Sequence, residues 1–364
     1  MSLVLKGIGT ALPLYSITQQ HAMELSRKVC HPTARQFEKL QNLYRRTKIE
    51  ERASVLLEPK EAAETEQSFY LPSDEGTARG PTTAERMIRY VEEAAPLACR
   101  AAENAIQEAE IISSQISHLV TVSCTGFSAP GFDIRILKEL KLSPSVARTH
   151  IGFMGCHGAM NGLRVASALT ETSAEACVLL CAVELCTLHF SYEGDIDKVV
   201  ANGLFADGAG AAVGVSEKAR DSSHSWRVGA TGSFLFPDSE EAMTWNIGNY
   251  GFEMTLSPRV PSLIAKFLRP WLEAWLAEKN LRMNEIRSWA IHPGGPRILK
   301  AVTSSLNLPA EATAVSEEIL KRHGNMSSAT LFFILSRLRA LEAPRPCLAL
   351  GFGPGLAAEA VLWV

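Results

Sequence analysis

The stretch Gly152–Gly162, which reads GFMGCHGAMNG, holds a cysteine between glycines where an irregular segment gives way to a helical pattern. Gly158, Gly162 and Ala166 recur every fourth residue, which predicts a bare helix face in close contact with a neighbouring backbone. Glycine inside a helix costs about 1 kcal/mol relative to alanine, so close approach must be required there. Cys156 would lie at the helix N-terminus, where free amides and the helix dipole favour the thiolate. This setting is typical of a nucleophile.

Composition bounds the class of protein. The 364 residues suit two domains or one large duplicated domain, and 46% hydrophobic residues supply a substantial core. A net charge of −3 gives no general attraction to nucleic acid or to anionic membranes. Eight cysteines without a CxxC pair indicate reduced thiols in a cytoplasmic compartment. No run reaches the roughly 20 uninterrupted apolar residues of a membrane span.

The first part of the chain alternates strand and helix patterns. A polar stretch between Pro59 and Pro81 predicts a surface excursion, and Thr83 is expected to cap the long helix that follows it. A basic amphipathic segment is consistent with either a solvated helix face or a site for a phosphorylated ligand. The predicted elements are a strand at Leu3–Gly9, a helix at Gln19–Val29, the basic segment at Arg35–Arg52 and a helix at Thr83–Glu110.

The order of elements then repeats. Three matched pairs lie at nearly constant separation, namely Cys177 and Cys347 (170 residues), Cys156 and Met326 (170 residues), and Gly126 and Gly295 (169 residues). This regularity predicts an internal duplication of a βαβ-rich unit. Continuous apolar strands, predicted at Cys177–Val183 and Cys347–Leu350, indicate sheets covered on both faces. We therefore expect an α/β fold with an N-terminal half, residues 1–220, carrying the cysteine, and a C-terminal half, residues 221–364.

Three reactive side chains follow strand ends or open helices in this scheme: Cys156, His292 and Asn325. Each alone is more often an ordinary core residue. Pseudo-twofold packing of the two halves would bring them to one central pocket. There they would supply a thiolate nucleophile, an imidazole beside it and a neutral amide donor for an oxyanion.

Several motifs in this order give the chain a resemblance to a known family. They are Gly155-Cys156, LFADGA at 204–209, HPGGP at 292–296, GNMSSA at 324–329 and GFGPG at 351–355. Together the motifs resemble the signature set of the type III polyketide synthases, the chalcone-synthase-like enzymes of the thiolase superfamily, in a bacterial-type variant. The resemblance covers essentially the whole chain and implies a thiolase-like, duplicated, five-layered αβαβα fold.

The resemblance also implies a reaction. Cys156 would hold the acyl group of an acyl-CoA starter, while His292 and Asn325 would bind malonyl-CoA and stabilise the enolate formed on decarboxylation. Repeated condensation and cyclisation would give a pyrone, a resorcinol or a related polyketide, without a metal or redox cofactor, in a homodimer. Two alternatives stay open: a carrier-protein-dependent ketoacyl synthase III, and a cysteine hydrolase of thioesters.

The remaining site residues are likewise implied by the resemblance. Phe205 and Met254 would be gatekeepers between the CoA tunnel and the cavity, and Lys39 and Arg46 would contact the CoA phosphates, with Asn42 at a third position that is basic in plant enzymes. His189 is either an acid/base group or a wall residue, and the small cysteines would open a side channel for an alkyl chain. The expected cavity residues are Cys124, Thr125, Cys186, His189, Trp245 and Ser327.

Overall fold

Strands and helices alternate along most of the chain. The computed structural model describes residues 3–60, 65–73, 79–192, 196–217 and 225–364. Parts of the surface excursion expected at Pro59–Pro81, and the boundary expected at 220–221, lie outside these residues. No helix within the described ranges combines the length and the apolarity needed to cross a bilayer.

The strands, in chain order, are β1 (Leu3–Ala11), β2 (Ser16–Thr18), β3 (Glu51–Ala53), β4 (Glu58–Pro59), β5 (Thr65–Glu66), β6 (His118–Ser123), β7 (Ala147–Gly152), β8 (Cys177–Leu185), β9 (Asp207–Ser216), β10 (Val228–Leu235), β11 (Met243–Gly248), β12 (Gly251–Leu256), β13 (Ser288–Ile291), β14 (Cys347–Gly353) and β15 (Ala357–Trp363). The α-helices are α1 (Gln19–Cys30), α2 (Ala34–Arg46), α3 (Thr83–Glu108), α4 (Phe132–Glu139), α5 (Gly158–Thr172), α6 (Ile196–Leu204), α7 (Val260–Ala277), α8 (Pro296–Leu306), α9 (Ala314–His323) and α10 (Thr330–Ala340).

Two large sheets share one topology. The first has the strand order β1-β9-β8-β6-β7 and the second has the order β10-β15-β14-β13. In each sheet the first three strands pair antiparallel and the fourth pairs parallel to the third. β7 extends the first sheet by one further parallel strand. The matching order and direction of the strands agree with the duplication predicted from the sequence.

Helices and sheets form five layers, as predicted. Along β8, Leu179, Cys181 and Val183 face α3 and α4, whereas Val178 and Leu180 face α5 and α10. The other face of the second sheet packs against α7 and α8. Because helices cover both faces at the centre of each sheet, the central strands β8 and β14 are buried on both sides. The helices α5 and α10 thus occupy the central layer, where each follows a turn that bears a candidate catalytic residue.

The bare face of α5 makes the predicted close contact, but its neighbours are side chains. A Cβ atom at Gly158 would lie 2.8 Å from Val122 Cγ1, and one at Gly162 would lie 2.6 Å from Leu180 Cδ1. The expectation of a neighbouring backbone was therefore wrong for α5. Direct backbone contact occurs instead at Gly9 of β1, where a Cβ would lie 2.0 Å from the carbonyl oxygen of Ala101 in α3.

The cap of α3 also differs from the prediction. Thr82, not Thr83, occupies the N-cap, accepting from the backbone N–H of Glu85 while the Glu85 carboxylate accepts from the backbone N–H of Thr82. This reciprocal pair is a capping box, and the threonine-to-glutamate spacing of three residues was its signal. Thr83 is thereby free to bond elsewhere, and its hydroxyl accepts from the backbone N–H of Gly251 in the β11–β12 hairpin.

Candidate active site

Cys156 lies in a strained turn between β7 and α5. A 3₁₀ turn at Gly155–His157 precedes α5, and both Phe153 (φ 56°) and Gly155 (φ 67°) are left-handed. A Cβ atom at Gly155 would lie 2.5 Å from Cδ of Pro354, in the loop after β14. Left-handed backbone at a non-glycine residue costs about 1–3 kcal/mol, so surrounding contacts must hold the turn in place.

Asn325 and Ser327 reach Cys156 from the second half of the chain. The backbone N–H of Asn325 donates to the Leu204 carbonyl (3.0 Å), and that of Ala206 donates to the Asn325 carbonyl (2.9 Å). The Ser327 hydroxyl donates to Cys156 Sγ (3.6 Å), and the Asn325 side chain lies close enough to the thiol to influence its pKa. The structure thus brings two of the predicted catalytic residues together and sets Phe205 beside Asn325.

His292 follows β13 and completes the buried group. Its backbone N–H donates to the Leu350 carbonyl (2.8 Å), and its side chain lies near His157, the residue after Cys156. His292 and Asn325 are each only 1% exposed, yet neither ring nitrogen of His292 nor Nδ2 of Asn325 has a partner among the described residues. Leaving a buried donor unpaired costs about 1–3 kcal/mol, so these atoms point to a ligand.

Burial shifts the pKa values of Cys156 and His292 in opposite directions. It raises the pKa of the Cys156 thiol to about 11, although the neighbouring side chains of Ser327 and Asn325 act in the opposite direction. Burial, assisted by the neighbouring His157, lowers the pKa of His292 to about 3. Burial therefore opposes the thiolate that is expected at the start of α5. Moving the proton from Sγ to the imidazole would leave the net charge of the site unchanged.

A buried carboxylate that sequence reasoning missed supports these turns. Glu184 of β8 is fully buried, and it accepts from the Cys124 backbone N–H (3.0 Å), the Thr125 hydroxyl (2.8 Å) and the Ser328 hydroxyl. The Cys124 thiol also donates to it (3.4 Å). The signal was a lone acidic residue in an otherwise apolar strand. Burial raises the pKa of Glu184 to about 6, and its four donors partly offset that rise.

A cavity with about 1780 Å³ of empty space, including its open mouth, lies beside Cys156. All of the expected gatekeeper and cavity residues line it: Cys124, Thr125, Cys186, His189, Phe205, Trp245, Met254 and Ser327. His189 has both ring nitrogens hydrogen-bonded to backbone groups, which favours the interpretation as a wall residue. Among the described residues, no group of three or more His, Cys, Asp or Glu side chains is arranged to hold a metal ion.

The basic residues divide into three groups. Lys39 and Arg46 are exposed on α2 and do not line the cavity. Arg52, which the sequence grouped with them, is buried and donates to the Phe205 carbonyl (2.6 Å), so it supports the gatekeeper segment. Arg79 and Lys198 lie at the cavity and were missed, because Arg79 stands alone in a polar stretch and Lys198 belongs to α6, a helix that the sequence reading did not identify.

Comparison with known proteins identifies the family. The model of the N-terminal domain of chalcone and stilbene synthases matches residues 2–217, and that of the C-terminal domain matches residues 228–364. The chain belongs to this family. It is a type III polyketide synthase, a condensing acyltransferase of a class that uses CoA thioesters. This agrees with the resemblance found in its sequence motifs.

Individual relatives agree with the assignment. The enzyme is 30% identical to the alpha-pyrone synthesis polyketide synthase-like Pks18 of Mycobacterium tuberculosis, over 99% of this chain and 90% of the relative. It is 35% identical to 1,3,6,8-tetrahydroxynaphthalene synthase of Streptomyces peucetius, over 73% of this chain and 72% of that protein. The crystal structure of PKS-I from the brown alga Ectocarpus siliculosus matches with a TM-score of 0.92 and 30% identity, covering 100% of this chain and 98% of the other. The thiolase-like fold is thus shared over the full length.

The raised pKa of Glu184 makes a prediction about stability. A carboxyl group whose pKa rises from 4.5 when unfolded to about 6 when folded stabilises the fold in its protonated form, and this contribution is lost as the pH rises through 6. The variant Glu184→Gln stays neutral at every pH. We therefore expect its free energy of unfolding, relative to that of the wild type, to rise by about 2 kcal/mol as the pH increases from 4.5 to 7. Urea denaturation at several pH values measures this difference. A difference that is constant across the range would contradict the assignment.

Proposed function

We propose that the enzyme extends an acyl-CoA starter with malonyl-CoA and cyclises the product to a pyrone, a resorcinol or a related polyketide. Cys156 Sγ attacks the thioester carbonyl of the starter, its proton passes to His292, and the thiol of CoA leaves. The proposal rests on the buried, unpaired nitrogens of His292 and Asn325. The ring of His292 lies near His157, the residue after Cys156, and Asn325 lies near the Cys156 thiol. Donors held in this way can stabilise an oxyanion without reorganising.

The condensation uses the same donors. His292 and Asn325 hydrogen-bond to the thioester carbonyl of malonyl-CoA, and loss of carbon dioxide leaves an enolate whose charge they stabilise. The enolate carbon attacks the acyl group on Cys156, forming the new carbon–carbon bond and expelling the Cys156 thiolate. The elongated chain then returns to Cys156 for the next cycle. Because decarboxylation itself generates the carbanion, this scheme requires no metal or redox cofactor.

The entrance for CoA is proposed on the side of α2. Lys39 and Arg46 are seven residues apart and therefore share one face of this helix, where both are exposed. α2 packs against α6 through Tyr44, whose ring would contact a Cβ at Gly203 at 3.0 Å. We propose that the two cations bind the CoA phosphates and that Phe205 and Met254 separate this entrance from the cavity.

The starter is proposed to carry an aliphatic chain. Ala22, Leu25, Ser26 and Val29 follow the spacing of one helix face, and this face of α1 lines the cavity together with Leu57. Apart from Ser26, whose hydroxyl bonds to Tyr44 at 2.7 Å, the surface is apolar. An alkyl chain lying along α1 would remove apolar area from water at about 25 cal/mol per Å².

A homodimer is also proposed. β7 is an edge strand of the first sheet, and most of its residues are exposed. An unpaired edge of this kind is a template for pairing with a second chain. We expect sedimentation equilibrium at micromolar concentration to give twice the 39.6 kDa mass of one chain. A monomer under these conditions would contradict the proposal.

Replacing the nucleophile separates the two half-reactions. Cys156→Ala should abolish chain extension but retain malonyl-CoA decarboxylation, because His292 and Asn325 remain. Asn325→Ala should lower carbon dioxide release by on the order of 10²-fold, since one oxyanion donor is lost. Release of ¹⁴CO₂ from labelled malonyl-CoA, with mass spectrometry of the products, measures both steps.

These assays also discriminate between the alternatives. A cysteine hydrolase would release free acid from acyl-CoA without carbon dioxide, and a ketoacyl synthase III would require a carrier protein. Full-length product from Cys156→Ala would show that another group is the nucleophile.

Filling the cavity along α1 tests the starter class. Ala22→Trp should lower kcat/KM for a dodecanoyl-CoA starter by at least about 10-fold, because the added ring occupies the path of the chain, whereas acetyl-CoA should be little affected. The matched control is Lys28→Trp, which adds the same ring to an exposed position of α1. Equal effects of Ala22→Trp on both starters would argue against this path.

A further inference from the structure

The β11–β12 hairpin forms one wall of the cavity without belonging to either large sheet. A two-stranded hairpin is marginally stable by itself, so its position depends on contacts with the rest of the chain. At its tip, the backbone N–H of Thr83 donates to the Asn249 carbonyl (2.9 Å), and that of Gly251 donates to the Thr83 hydroxyl (2.9 Å). These bonds anchor the tip but leave the cavity-facing part of the hairpin to other contacts.

Two side chains hold that part. Trp245 Nε1 donates to the carbonyl of Cys124 (2.6 Å), and His189 Nε2 donates to the next carbonyl along the chain, that of Thr125 (2.7 Å). The other ring nitrogen of His189, Nδ1, accepts from the backbone N–H of Phe252 (2.9 Å). His189 therefore joins the loop after β6 to the hairpin through two backbone groups, and its tautomer is set by them.

The three rings also pack as one unit. His189 stacks on Phe252 with centroids 4.2 Å apart and an interplanar angle of 14°. Trp245 meets His189 edge-on at 5.3 Å and Phe252 at 5.8 Å. Burial lowers the pKa of His189 to about 3, so the ring stays neutral and keeps both hydrogen bonds.

Further contacts connect the loop after β6 to Cys156. In this loop, the backbone N–H of Cys124 and the hydroxyl of Thr125 donate to the Glu184 carboxylate (3.0 Å and 2.8 Å). The Ser327 hydroxyl lies 3.3 Å from Cys124 Sγ and 3.6 Å from Cys156 Sγ. An uninterrupted series of short contacts therefore relates the position of the hairpin to that of Cys156.

We propose that His189 is a positioning residue that holds the hairpin wall at a set distance from Cys156, and that this distance limits the number of extension units. The inference rests on the proposed function. In this proposal His189 acts through its two hydrogen bonds and not through the volume of its side chain. Met254, paired with Trp245 across the hairpin, belongs to the same wall.

The test compares two unbranched side chains of similar size. His189→Gln can retain both bonds, since its amide N–H reaches toward Thr125 and its amide oxygen toward Phe252, whereas His189→Met can form neither. We expect His189→Met to raise the ratio of longer to wild-type-length products by on the order of 10-fold, and His189→Gln to restore the wild-type ratio. Trp245→Phe, which removes one N–H and keeps a ring, should shift the ratio in the same direction but less.

Hydrogen exchange of the amides at 243–256 gives a readout independent of activity. Exchange should accelerate in His189→Met and return to the wild-type rate in His189→Gln. Unchanged exchange in His189→Met would show that His189 does not hold the hairpin in place, whatever the products are. Equal product ratios for His189→Met and His189→Gln would show that bulk decides the length, and would overturn the inference. If the wild type makes no polyketide from any starter, the proposed function fails and the length limit fails with it, while an accelerated exchange would still show that His189 holds the hairpin in place.

Discussion

The Glu184 carboxylate joins the two halves of the molecule at the candidate active site. It accepts from Cys124 and Thr125 of the first half and from Ser328 of the second. A buried carboxylate is costly unless its oxygens are hydrogen-bonded, so these loops must keep their geometry for the fold to be stable. Since Ser327 and Asn325 belong to the same turn as Ser328, that constraint also sets the donors that surround Cys156.

The remainder of the site combines strain with seclusion from water. Residues with left-handed backbone flank Cys156 from both halves of the chain, namely Phe153 and Ser327. The glycine-rich end of β14 packs tightly against the turn that bears Cys156, since a Cβ at Gly353 would lie 2.4 Å from Cδ2 of His157. The same seclusion that disfavours an isolated thiolate or imidazolium leaves the donors of His292 and Asn325 unpaired. In such a site a substrate carbonyl gains hydrogen bonds that water does not compete for.

Secondary structure was predictable where the pattern was local and strong. Apolar runs indicated β8 and β14, which are buried throughout, and glycine spacing indicated α5, which is buried over most of its length. The pattern did not reveal α6, α8, α9 or the β11–β12 hairpin. The hairpin strands alternate weakly and depend on contacts with Thr83, His189 and the loop after β6, all distant in sequence. Only those contacts make the segment a wall of the cavity.

The sequence by itself determined the duplication, because the spacing of matched elements is a property of the chain. The resemblance of its motifs to the family indicated the layered fold and the candidate catalytic residues Cys156, His292 and Asn325. The tertiary structure decided the states and environments of those residues. Burial depends on which residues of the other half cover a side chain. Neither the pKa shifts of Cys156 and His292 nor the four donors to Glu184 can therefore be predicted from local sequence. The sequence allowed two interpretations of His189, an acid/base group or a wall residue. Only the folded chain shows that both of its ring nitrogens are hydrogen-bonded to backbone groups.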